Sequence, residues 1–189
     1  MEMCECVCDE MLEPLHYKQP MAYVSVPLLL AAATVDGAAT ALVSQLASSD
    51  GPLCPTANCG QRMKILRYLM APIPSLLIIG FMFEGGAVQP NTIQSLLHAI
   101  PSTIDLQQAF KSVPQPATAS LYGVLCSGGI DAPTGFHTFA IDANLRQWLH
   151  WGDNTTSQVG EDWEAVVSKC SLHRLKPALV VYQIHSHQY

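Results

Sequence analysis

In the last third of the chain an apolar alternating run begins at His137 and extends to Asp142, and a second run follows from Gln147 to Trp151. A period of two belongs to strands with one buried face. Strands joined by so short a connection pair antiparallel, because a parallel return needs a crossover of a dozen residues or more. The first run opens on a histidine, His137. The second ends in a turn, Gly152-Asp153-Asn154, that carries an acid. A histidine and an acid at the ends of neighbouring strands are a common way to build a general base and the group that orients it.

The rest of the chain fits the same plan. The alanine-rich segment from Leu28 to Leu46 predicts a helix, with Pro27 tolerable in its first turn and Ser48-Ser49-Asp50-Gly51-Pro52 ending it. Strands are expected at Met63 to Met70 and Leu76 to Phe83, joined tightly by Ala71-Pro72-Ile73-Pro74. A short helix over Thr92 to Ile100, capped by Asn91, precedes an irregular stretch or short helix from Pro101 to Pro116. A strand from Ser120 to Cys126 leads through the glycine-containing loop 127–135 to His137. Trp163, Val166 and Val167 at helical spacing predict a helix over Glu161 to Lys169, and Ala178 to His185 reads as the last strand. Residues 1–20 read as extended chain and turns. The class is mixed α and β with a mostly antiparallel sheet.

The chain has 189 residues, 49% of them hydrophobic and 13% charged, enough for one domain with a real core. A net charge of −6 with no basic stripe argues against nucleic acid as a partner. The apolar segment 26–47 is interrupted by Asp36, Gly37, Ser44 and Gln45. Segment 69–83 carries two prolines and is shorter than the roughly 20 residues a spanning helix needs. The start, Met1-Glu2-Met3-Cys4-Glu5-Cys6, is acidic where a secretory signal would be basic. These features predict a protein of the cytoplasm or nucleus, with no membrane association.

Seven cysteines are present, in an uneven distribution. Cys4, Cys6 and Cys8 cluster at one end, Cys54 and Cys59 form a second group, and Cys126 and Cys170 stand apart. Paired clusters in an intracellular setting point to metal before disulfides. The alternatives for the N-terminal contribution are Cys4 with Cys6, Cys6 with Cys8, or Cys4 with Cys8. Four thiolates would make a closed, structural zinc site with no open position for catalysis.

In order along the chain, these pieces resemble the C-terminal half of the ubiquitin-specific protease domain, the papain-like cysteine deubiquitinases, and a divergent branch of it labelled inactive. Cys54-Pro55-Thr56-Ala57-Asn58-Cys59-Gly60-Gln61 looks like the second pair of a zinc knuckle. Arg67 to Phe83 resembles the strand pair after it, and Pro101-Ser102-Thr103-Ile104-Asp105-Leu106 a "P-x-x-L-D-L" element. Gly135-Phe136-His137-Thr138-Phe139 is similar to the histidine strand, and Trp148-Leu149-His150-Trp151-Gly152-Asp153 to "W-x-x-F-D-D". Gly160 to Cys170 and Pro177 to Tyr182 resemble the terminal helix and strand.

The resemblance implies an α+β, papain-like fold with its helical thumb missing. It implies a single partial domain with fingers over about 1–70 and palm over about 71–189. It assigns His137 as a vestigial general base and Asp153 as its orienter. It places one structural zinc on Cys4, Cys6, Cys54 and Cys59. The implied partner is ubiquitin or a ubiquitinated protein. Two departures bear on activity. The family's "G-N-T-C" nucleophile box does not occur in the sequence, and the first acid of the acidic pair is Gly152. Asp153 could equally be a turn residue, and Asn154 could substitute as a hydrogen-bond acceptor. Cys126, at a strand end before the loop to His137, is the less improbable substitute nucleophile. Packing is the expected role of Cys126, Cys170 and the three tryptophans.

Overall fold

The computed structural model describes residues 1–13, 21–85, 88–113, 115–128, 135–152 and 154–186. Its elements, in chain order, are β1 (Glu2–Glu5), β2 (Met21–Ser25), α1 (Val26–Asp36), α2 (Ala38–Ala47), β3 (Ser48–Leu53), β4 (Arg62–Arg67), β5 (Leu76–Met82), α3 (Pro90–His98), β6 (Thr103–Asp105), α4 (Leu106–Ala109), β7 (Ala117–Ser127), β8 (Phe136–Asp142), β9 (Gln147–Gly152), β10 (Thr155–Gly160), α5 (Trp163–His173) and β11 (Lys176–Ser186). They build two sheets. The smaller is antiparallel with order β1-β4-β3. The larger has eight strands in the order β10-β9-β8-β7-β11-β5-β2, with β6 paired to β7.

The mostly antiparallel α+β class expected from the sequence is what the chain forms, with β2 beside β5 as the parallel pair. The two runs are β8 and β9, paired directly, with Phe139 opposite His150 and Thr138 opposite Trp151.

Several elements differ from expectation, each for a local reason. The single helix over 28–46 is two helices, because Gly37 adopts φ 85°, outside helical space. The segment read only as a helix terminator is β3, an edge strand. Its register slips between Asp50 and Leu53, where Gly51 and Pro52 form the irregularity that edges tolerate. Residues 2–5, expected as loose extended chain, pair with β4. The third helix starts two residues earlier than expected, with Pro90 in its first turn and Gln89 rather than Asn91 as its cap residue. β10, Thr155-Thr156-Ser157-Gln158-Val159-Gly160, has no apolar alternation because it is an exposed edge strand; Asn154 turns into it at φ 59°. β2 was likewise not expected; its Tyr23 ring lies over Gly80, where any Cβ would come within 2.8 Å of it.

One core cluster joins the large sheet to the helices. Val124, Phe139, Val180 and Tyr182 from the sheet bury with Leu42 and Leu46 of α2, Leu96 and Leu97 of α3, and Val166 and Val167 of α5. Full burial of side chains this size contributes about 1.5–3 kcal/mol each. Tyr182 Oη, inside this core, donates to Pro101 O at 2.8 Å. Of the tryptophans, Trp148 is buried and packs at a tilt on Trp163 (5.1 Å, 52°), whereas Trp151, on β9, is partly exposed. Residues 21–47 belong to the large sheet and its core although they fall within the first 70. Among the described residues no helix is long and apolar enough to cross a membrane.

Arg67 joins the two sheets. It sits on β4, is 6% exposed, and its Nε donates to Glu2 Oε1 of β1 at 2.8 Å. Its other nitrogens donate to Gln45 O at 2.7 Å, Leu46 O at 3.2 Å and Ser49 Oγ at 3.1 Å. The small sheet is thereby fastened to the end of α2.

Candidate functional sites: a cysteine cluster and a histidine pair

The tip of the small sheet carries two facing turns. In the first, Cys6 N–H donates to Glu10 O and Asp9 N–H to Cys6 O, folding residues 6–10 back on themselves. Asp9 takes a left-handed φ of 63° to close it. In the second, Cys54 N–H donates to Gln61 O and Cys59 N–H to Thr56 O, with Asn58 and Gly60 at positive φ. Thr56 Oγ1 donates to Glu10 Oε2 at 3.0 Å and ties one turn to the other. Met63, fully buried, floors the pair together with Cys6 and Cys54.

Between the turns, the sulfurs of Cys6, Cys8, Cys54 and Cys59 all lie within 4.8 Å of one another. Cys6 Sγ is 3.5 Å from Cys59 Sγ, and Cys8 Sγ is 3.6 Å from Cys54 Sγ. A tetrahedral zinc with Zn–S near 2.3 Å sets its sulfurs about 3.8 Å apart. The donor set fits one structural Zn²⁺.

The protonation chemistry agrees. The backbone N–H of Glu10, with the Cys6 thiol next, draws Cys8 down to about 7. The backbone N–H of Cys8 pulls Cys6 down, but burial and the neighbouring thiols outweigh it and push Cys6 up to about 12. The Cys8 thiolate forms readily while Cys6 resists ionisation. A divalent cation removes that resistance.

Three of the four expected ligands, Cys6, Cys54 and Cys59, are therefore gathered, and Cys8 stands where Cys4 was expected. Cys4 lies within β1, opposite Ile65, two residues back along an extended strand. That is about 6.6 Å of chain, too far to share one ion. Burial and then Glu2 raise its pKa. The sequence offered Cys4 and Cys8 at the same spacing from Cys6, and the turn over residues 6–10 brings Cys8 to the cluster.

The second site is on the large sheet. His137, on β8, is 6% exposed, and it lies opposite Cys126 of β7 in the ladder. Its Nδ1 is 3.0 Å from Nε2 of His150 on β9. The two rings are nearly parallel, at 5.2 Å and 11°, and Phe139 stacks beneath His150 at 4.7 Å. Ser157 Oγ lies 3.5 Å from His150 Nδ1, and Lys169 Nζ donates to Ser157 Oγ at 3.3 Å. Sequence reasoning missed His150. It sits on the same face as Phe139, two strand positions from Gly152, and the period-two pattern could have flagged it. Asp153, the expected orienter, lies outside the described residues.

Cys126 touches Cys170 of α5, sulfur to sulfur at 3.8 Å, and both are fully buried. Burial, with the Cys170 thiol beside it, holds Cys126 well above the ordinary thiol range. A nucleophilic cysteine needs the opposite environment, one that stabilises its thiolate. Both cysteines pack, as their sequence context predicted.

No family model matches the chain. It is 26% identical over 196 residues to ubiquitin carboxyl-terminal hydrolase 54 of Rattus norvegicus, a match covering 96% of this chain and 12% of that protein. Against ubiquitin carboxyl-terminal hydrolase 53 of Homo sapiens it is 24% identical, over 96% of this chain and 18% of the relative. The chain is ubiquitin-specific-protease-like. Its fold is similar to a chain of the Ubp8, Sgf11, Sus1 and Sgf73 SAGA DUB module bound to monoubiquitin, with TM-score 0.59, 13% identity, and coverage of 99% of this chain and 40% of that one. A second structure of the Ubp8-Sgf11-Sgf73-Sus1 module gives TM-score 0.55 at 10% identity over 98% and 38%. The ubiquitin-specific-protease-like chain thus spans less than a fifth of the length of the curated relatives it matches.

Proposed function

We propose that this chain is the ubiquitin-recognising half of a deubiquitinase-type domain and does not cleave isopeptide bonds by itself. The reading rests on the neighbourhood of His137. The cysteine opposite it is buried, held protonated and packed on a second cysteine. Of the other five, four form the cluster at the tip of the small sheet and Cys4 lies in β1. A base with no ionisable thiol in reach performs no thiol-dependent acyl transfer. A cysteine nucleophile acting with His137 would have to come from another polypeptide segment.

Recognition of ubiquitin is supported by the likeness to a module whose structure holds monoubiquitin and by the similarity to two ubiquitin carboxyl-terminal hydrolases. Zinc held by Cys6, Cys8, Cys54 and Cys59 would supply rigidity, keeping the two turns of the small sheet together. The chain's own residues do the rest. Arg67 fixes the angle of the small sheet to the large one, and the large sheet carries His137 at its β7–β8 end.

Titration of the ¹⁵N-labelled chain with monoubiquitin tests the binding. Shifts localised to the two sheets are expected, and no shift at millimolar ubiquitin would refute it. A thiol-reactive ubiquitin probe tests the second claim. No adduct is expected; an adduct on Cys126 that disappears in His137→Ala would overturn it.

A further inference from the structure

We propose that His150 is the positioning residue for His137, and that it holds this place because position 152 is glycine. A buried imidazole nitrogen needs a hydrogen-bond partner. For Nδ1 of His137 that partner is Nε2 of His150 at 3.0 Å, and both side chains are buried. The contact is also held sideways. The two imidazoles lie edge to edge in nearly one plane, with centroids 5.2 Å apart at 11°, as an N–H···N bond requires, and the Phe139 ring stacked on His150 at 4.7 Å opposes its rotation.

Gly152 is the second half of the observation. Residues 150 and 152 lie two apart on β9 and share a face. A Cβ at 152 would fall on His137 Nδ1 and within 2.8 Å of His150 Nε2, closer than real Cβ atoms come. Gly152 is not among the positive-φ glycines, so its backbone suits any residue and only the two rings exclude a side chain. Any side chain at 152 would point at the nitrogen that His150 now holds. The two positions are alternative sources of one partner: an imidazole from 150 over a glycine, or a side chain from 152 with 150 withdrawn. In a base-and-acid arrangement the second source would be a carboxylate; here the contact to Nδ1 is an imidazole, tied onward toward Ser157 and Lys169.

The test uses the full chain with ¹⁵N-labelled histidine. A scalar coupling across the hydrogen bond, from His137 Nδ1 to His150 Nε2, is expected. In His150→Phe, which keeps the ring stack, that coupling should vanish and the His137 Nδ1 resonance should move. A His137 Nδ1 resonance identical in wild type and His150→Phe would overturn the proposal. Thermal unfolding gives an independent readout. Gly152→Asp should melt several degrees below wild type, and His150→Ala/Gly152→Asp should melt above Gly152→Asp despite carrying one substitution more. Strict additivity of the two changes would overturn it. Should Gly152→Asp fail to fold, Gly152→Ala carries the same comparison with a smaller clash.

Discussion

The two clusters of reactive side chains in this protein sit on different sheets and have different fates. At the tip of the small sheet, four thiols from two turns lie within 4.8 Å and form a complete ligand set. At the β7–β8 end of the large sheet, His137 faces a second histidine, and the cysteine opposite it in the ladder is sealed in the core. The contrast separates two demands. A structural metal site asks only that donors converge, and two hydrogen-bonded turns achieve that. A catalytic triad also needs a polar orienter and an accessible, ionisable nucleophile, and burial opposes the second. A fold can therefore keep its scaffold site intact while its chemical site drifts into packing.

The largest expected effect is on the cysteine cluster. Protein purified without chelator should carry one zinc per chain by metal analysis. Cys8→Ser should lose it and Cys4→Ser should keep it. Structural zinc contributes on the order of 10 kcal/mol in zinc-finger peptides, so Cys8→Ser should also lose hydrogen-exchange protection across β1 and β4. Zinc retained in Cys8→Ser and lost in Cys4→Ser would reverse the ligand assignment.

Next comes the joint that relates the two regions. Arg67→Ala would remove the donor to Glu2 Oε1 and to two helix-end carbonyls. Removing one member of a buried pair costs about 3–5 kcal/mol, readable by urea unfolding. Resonances of the small sheet should shift while those of His137 and His150 stay put. Movement of both sets would mean the regions are not independent.

Tyr182 probes the large sheet alone. Burial raises its pKa above the usual tyrosine value near 10. The folded state therefore favours the neutral phenol. That contribution is fully present below about pH 10 and is lost as pH rises above it. Wild type should lose stability above pH 10, and Tyr182→Phe should flatten that loss while costing about 1 kcal/mol at pH 7 for the missing bond to Pro101. An unchanged alkaline limb in Tyr182→Phe would assign the loss to other groups.

The smallest effect is expected at His98 and Glu164, a solvent-exposed pair at 3.1 Å between α3 and α5. His98→Ala should change stability by less than about 0.5 kcal/mol. A loss above 1 kcal/mol in thermal melts would show that this surface contact matters to the α3–α5 packing.

Much of the fold was legible before any coordinates. The alternating run and the one after it gave β8 and β9, the apolar runs gave β5, β7 and β11, and helical spacing of Trp163, Val166 and Val167 gave α5. Elements without such patterns were missed: β10 is polar because it is an edge, and β2 is only five residues long. The cysteine cluster was legible as a cluster but not as a ligand set. Spacing in sequence places Cys4 and Cys8 equally, and only the turn closed by the Cys6–Glu10 and Asp9–Cys6 hydrogen bonds prefers Cys8. The sequence also named His137 and noticed that Gly152 replaces an acid.

What the amino-acid order determined by itself, then, is which strands and helices form, since periodicity and turn residues act over a few neighbours. Which side chains meet was decided by the tertiary structure. His150 reaches His137 because β8 and β9 pair in one register, and Cys126 is disabled because α5 lays Cys170 against it. Contacts of this kind depend on the relative placement of whole elements, and a one-residue slip in register would send every one of those side chains to the opposite face.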